Sequence, residues 1–192
     1  MNIKTLWRKT INNFQIFEDF IREFIILDSD LFKLIYYPQK NPLIQADEEN
    51  PYKIFEESES NEHGVVLFGA KNNEILNTSN IVILIDFEQT PKGNLQEYNT
   101  VYIIIRTILK GDVQKLGNGL DRAFIIDKLI ENQLDRSTLT GLGEIKKTSF
   151  KPLPLNEQNQ GYIAMYKATS FAYDFLNNKN IQKKYFGGEY NE

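Results

Sequence analysis

Apolar residues recur along this chain with two different periods. Phe14, Phe17, Ile21, Phe24 and Ile25 are spaced by three, four and seven, which makes one stripe on a helix, with Glu18, Asp19, Arg22 and Glu23 mostly off it. Asp28-Ser29-Asp30 interrupts the stripe and offers N-cap oxygens to a second short helix carrying Leu31, Phe32, Leu34 and Ile35. That helix ends near Tyr36-Tyr37-Pro38, since the residue before proline disfavours the helical region. Residues 39 to 64 are irregular, broken by Pro42 and Pro51, and become acidic and serine-rich over Glu56–Glu62, the composition of a surface loop.

Beyond this loop the period shortens. Val65–Phe68 reads as a short strand, followed by a turn through Gly69 and Lys71-Asn72-Asn73. Ile81–Phe87 is apolar on both faces. In Thr100–Leu109, Val101, Ile103 and Ile105 point one way and Ile104 and Ile108 the other. Strands of this kind are usually covered on both sides. One cover is expected from the next helix, the other from the N-terminal helices or from another subunit. The connection Glu88–Asn99, with Pro91 and Gly93, exceeds a tight hairpin and reads as a projecting polar arm. Lys110–Asn118 reads as a turn, with Asn118 capping a helix over Gly119–Asp135 and Asp121 in its first turn. Ala123, Ile126, Ile130 and Leu134 form the stripe of that helix. Two more strands, Glu144–Phe150 and Gly161–Phe171, are separated by a loop at Lys151–Gln160; the last carries Ile163, Met165 and Phe171 on one side and Tyr162 and Tyr166 on the other.

This β-β-α-β-β order predicts an α+β fold: an antiparallel or mixed sheet of four to five strands packed on an α-helix, with helices at the N-terminus. One domain is expected over residues 1–172, made of helices (1–38), a loop (39–64) and the sheet-plus-helix core (65–172). A loosely held polar tail is expected at 173–192.

Composition narrows the functional classes. The 192 residues are 41% hydrophobic, enough for one core. Cysteine is absent, which excludes disulfides and thiolate metal sites. A formal net charge of -4 argues against general affinity for nucleic acid. Lys4, Arg8 and Lys9 are followed by no signal-like apolar stretch, and the longest aliphatic run, Ile81–Ile85, is too short to span a bilayer. A soluble, unprocessed chain is expected, with no membrane partner.

Little in the sequence suggests catalysis. The single histidine, His63, sits in the acidic loop and reads as a solvated side chain; one imidazole cannot build a multi-histidine metal site. Glu144-Ile145-Lys146 has the Glu-x-Lys form used by metal-dependent nucleases, with Asp127 or Asp135 as the upstream acid, but neither aspartate falls on an evident strand end. Asp86-Phe87-Glu88 reads as a solvated strand edge. Gly117-Asn118-Gly119 lacks the length and the Lys-Ser or Lys-Thr of a phosphate loop. No catalytic residue, metal ligand or cofactor site is assigned.

Three stretches carry a family likeness: Phe20–Leu43 (FIREFIILDSDLFKLIYYPQKNPL), the aliphatic strand, glycine turn and LDRAFIIDKLIENQL of Thr100–Leu134, and Leu155–Phe171 (LNEQNQGYIAMYKATSF). In order and pattern, over about half the chain, they resemble the tail-terminator or tail-completion proteins of the phage head-to-tail neck. The resemblance implies a non-enzymatic structural protein of the virion, assembled in the host cytoplasm. It further implies a homo-oligomeric ring, commonly hexameric, that meets the head connector and tail proteins, with DNA only as passing cargo. Glu88, Lys92, Asn94, Gln96 and Tyr98 of the arm, and Arg122 at the start of the helix, are the candidate subunit-interface residues. A head-closure or adaptor protein of the same neck, or a metal-dependent nuclease, is the alternative.

Overall fold

The computed structural model describes residues 18–56, 63–69, 79–91, 98–135, 145–154 and 159–171. Helix α1 occupies 18–27 of these residues, followed by α2 (Ser29–Tyr36). Next come two 3-10 turns, Pro42–Ile44 and Pro51–Phe55, then β1 (Val65–Phe68), β2 (Ile81–Pro91), β3 (Tyr98–Lys110), α3 (Arg122–Asp135), β4 (Ile145–Pro154) and β5 (Asn159–Phe171). The strands form one mixed sheet in the order β1-β2-β3-β5-β4, in which β1 and β2 are parallel and the other neighbours antiparallel. The fold is therefore α+β.

The Asp28 carboxylate accepts from the Leu31 amide (3.0 Å) and caps α2, as its position before the apolar run requires. Ile21, Ile25, Leu31, Leu34 and Ile35 are fully buried, each contributing roughly 1.5–3 kcal/mol of apolar burial. They pack with Ala123, Ile126, Ile130 and Leu134 of α3 and with one face of the sheet: Ile81, Ile83 and Ile85 of β2, Val101, Ile103 and Ile105 of β3, and Tyr166 of β5. The N-terminal helices and α3 thus share a face, whereas the sequence reading gave the face opposite α3 to the N-terminal helices or to another subunit. On the other face Val65, Leu67, Val82 and Ile108 make a second, smaller cluster. Gly64 enters β1 where a Cβ would collide with the Ile35 carbonyl, and its amide donates to Tyr36 O (2.9 Å), so α2 and β1 meet backbone to backbone.

Three boundaries differ from the sequence reading. The β2–β3 ladder runs to Pro91 opposite Asn99, so Glu88 and Tyr98 belong to strands, and the connection between the strands is 92–97. Pairing is made by main-chain groups, and polar residues such as Gln89 and Thr90 do not stop it. The β4–β5 ladder likewise continues to Pro154 opposite Gln160, since the outer side of an edge strand tolerates Pro152 and Pro154. Helix α3 begins at Arg122, because Gly119 has φ +83 and cannot be helical. Asn118 closes a local turn by accepting from the Leu120 amide (3.1 Å), and Asp121 is the residue that caps, accepting from the Phe124 amide (3.2 Å). Phe14, Phe17, the 57–62 part of the acidic loop, Glu144 and the 173–192 tail lie outside the described residues.

Candidate functional site

Helix α2 stops at Pro38, which leaves the carbonyls of its last turn without helical partners. Arg122, the first residue of α3, supplies donors. Its Nη1 donates to Tyr37 O (2.7 Å) and Leu34 O (3.4 Å), and its Nη2 donates to Gln39 O. A guanidinium can fan out to three carbonyls where an ammonium presents a point charge, and a cation suits the negative end of a helix. Arg122 has no exposed surface, and this burial lowers its pKa to about 10, so it stays charged at neutral pH. The side chain expected at a subunit surface is therefore enclosed within the chain. It bonds segments 83 to 88 residues away in sequence.

Asp127 lies further along α3 and is 3% exposed. Its Oδ2 receives Lys147 Nζ of β4 at 2.5 Å, and its Oδ1 accepts the Tyr166 hydroxyl of β5 at 3.4 Å. Lys147 also reaches Glu131 (3.1 Å), which takes Lys128 as well (2.7 Å). Burial pushes the Asp127 carboxyl up, against the pull of Lys147; Glu131 is held down chiefly by its bond from Lys128. A bulge brings Lys147 to this face. The register shifts between Lys147, opposite Tyr166, and Ser149, opposite Met165, so that Lys147 and Phe150 both point toward α3 despite their odd and even positions.

Above this polar base lies an aromatic patch. Phe150 stacks on Tyr162 (4.8 Å between centroids, 3° between planes), and Phe124 meets Phe150 edge-on at 6.3 Å. Lys147 stands over Phe150 (4.6 Å) and Lys128 over Phe124 (5.7 Å). Phe124 is 47% exposed and neighbouring Leu120 54%. Rings held by one another and backed by ion pairs lose little freedom when a partner covers them, which is the character of interface anchors.

The remaining candidates lie elsewhere. Glu88 is exposed on β2 opposite Tyr102, and Tyr98 opens β3 opposite Phe171. Lys92, Asn94 and Gln96 are outside the described residues. His63 is half-buried, not solvated: it stacks on Tyr36 (4.7 Å, 13°), with Nδ1 3.0 Å from Gly64 O. Lys146 faces away from Asp127, because strand alternation sends it to the side opposite Lys147, and Glu144 is outside the described residues. Gly117 sits where a Cβ would strike Asn41, and its amide donates to Lys40 O (2.7 Å), so its small size serves packing between two loops. A cleft of about 480 Å³ lies beside α1 and α2, lined by Phe24, Leu27, Asp28, Ser29, Asp30 and Gln133. Of its two carboxylates, Asp28 is engaged by the Leu31 amide and by Gln133 (2.9 Å). Among the described residues no group of three His, Cys, Asp or Glu could hold a metal ion, and no helix is long and apolar enough to cross a membrane.

The sequence reading missed Lys147 and the patch it supports. Asp127 and Glu131 did carry a signal: two acids four apart on one helix repel unless a cation sits between them.

Fold and site together define an α+β protein with all its described helices on one face of a mixed sheet and an exposed aromatic patch at the β4 end. The sequence profile of the YomW family matches residues 28–168, from the α2 cap into β5. The chain belongs to this family, which is of the phage SPBeta type, and the protein is phage-associated. No curated protein and no solved structure matches it.

Proposed function

We propose that this protein is a structural component of the phage virion: a ring-forming subunit of the neck that terminates the tail or joins it to the head connector. It acts without catalysis or cofactor. The observation that carries the reading is the Phe124–Phe150–Tyr162 patch, an exposed Phe124 ring set edge-on to the partly buried, stacked pair Phe150 and Tyr162 on an ion-paired base, in a member of a phage family. Such a surface suits protein contact better than substrate capture. The formal charge of -4 supports a role in which DNA passes without being held, since an acidic surface does not neutralise phosphates.

The test is to delete the gene from its phage. Full heads and complete tails that fail to join, with the protein found by mass spectrometry in wild-type particles, are the expected result. Normal infectious particles from the deletion would overturn the reading. So would magnesium-dependent DNA cleavage by the purified protein that Glu144→Ala abolishes.

A further inference from the structure

Among the large apolar side chains of the described residues, Leu27 is the most exposed, at 81%. It stands at the end of α1, one turn beyond the buried Phe24. These two residues are the apolar part of the cleft beside α1 and α2, and its charged side chains, Asp28 and Asp30, are both acidic. Asp28 takes its hydrogen bonds from an amide and from the uncharged Gln133, which leave its charge in place. Asp30 is exposed. A partner suited to this cleft is therefore apolar and basic. Residues 1–17, which lie outside the described residues, have that chemistry in their sequence. They carry three bases, Lys4, Arg8 and Lys9, and no acid. Ile3, Leu6, Trp7, Ile11 and Phe14 recur by three and four, the spacing of an apolar helical stripe, with Lys4 and Arg8 flanking it. Trp7 is the only tryptophan of the chain and of the residue type enriched among interface anchors.

We propose that the basic, apolar segment 1–17 of one copy seats Trp7 in the Phe24–Leu27 cleft of the next, with Lys4 and Arg8 directed to Asp28 and Asp30. The stripe of this segment continues in step through Phe17 and Ile21 into α1. On one continuous helix Trp7 stands about 30 Å from Leu27 of its own chain, so the cleft within its reach belongs to a neighbour. Segment and cleft are different surfaces of the same chain. The contact is therefore heterologous, and repeated from copy to copy it can close into a ring. The proposal rests on the ring reading above and names the parts that join one subunit to the next. Gln133 of the cleft and Phe124 of the aromatic patch are separated by roughly 14 Å along α3, so the two surfaces can be altered separately.

The absence of native cysteine allows a specific crosslinking test. The full chain carrying Trp7→Cys and Leu27→Cys is oxidised and run on a non-reducing gel. A ladder of covalent multimers, collapsed by reductant, is the expected result. It should form at least tenfold faster than in a Trp7→Cys, Ile44→Cys control, whose second site is 79% exposed but lies past the other end of α2. A monomer-sized product with an intrachain disulfide overturns exchange between copies, and a rate equal to that of the control overturns the contact. In the otherwise wild-type chain, Leu27→Arg should weaken self-association tenfold or more by sedimentation while keeping the wild-type circular dichroism, since that side chain is exposed. A Leu27→Arg protein that keeps the wild-type mass overturns the cleft as the joint. If the wild type is oligomeric and the crosslink fails, the ring reading stands without this contact; a wild-type chain that stays monomeric overturns both.

Discussion

Arg122 shows how one residue can serve the whole helical layer. Its guanidinium occupies the position that a C-cap would fill, but from a different helix, and it satisfies carbonyls at 34, 37 and 39 together. Arg122→Ala should lower stability by roughly 3–5 kcal/mol, because it leaves a cavity and three carbonyls without their donor. Arg122→Lys, which cannot fan out to all three, should recover only part of the loss. Urea unfolding midpoints with an unchanged slope check both expectations. In the sequence Arg122 was legible as a notable arginine at a helix start. Its destination was not, because nothing near position 122 encodes the end of α2.

Between elements, the junction of α3 with β4 is ionic at its centre. Asp127 has its pKa raised by burial in the folded state. The stability contributed by such a carboxyl is fully present below its unfolded pKa and is lost as pH rises through the folded value. Wild-type stability relative to Asp127→Asn should therefore be greatest in acid and decline toward neutral pH. Both proteins keep Glu131, so the difference isolates Asp127; thermal unfolding at a series of pH values measures it. A difference that grows with pH would mean that Lys147 dominates over burial. The strands and helices at this junction were readable as alternation and stripe. The bulge was not, since Lys147-Thr148-Ser149 carries no mark of the extra residue, and without the bulge Lys147 and Phe150 would face opposite ways.

At the scale of the molecule, the exposed patch and the buried layer have separate consequences. Phe124 is half-exposed, so Phe124→Ser should change stability by no more than about 1 kcal/mol. If the patch is the anchor of assembly, the same change should weaken self-association tenfold or more, as read by sedimentation. A fall in stability matching the loss of association would instead make Phe124 a packing residue.

The sequence by itself determined the kinds of element and most of their places: the α2 cap at Asp28, the two-sided strands Ile81–Phe87 and Thr100–Leu109, the α3 stripe, and the alternation of Tyr162 and Tyr166 against Ile163 and Met165. These follow from neighbours two, three and four residues apart, and local geometry is enough to read them. Only the tertiary structure decided that α1, α2 and α3 share one face, that Arg122 closes α2, and that β1 joins in parallel at one edge. Each of these depends on contacts between segments tens of residues apart, where the winning arrangement is set by which surfaces bury each other and not by any period along the chain.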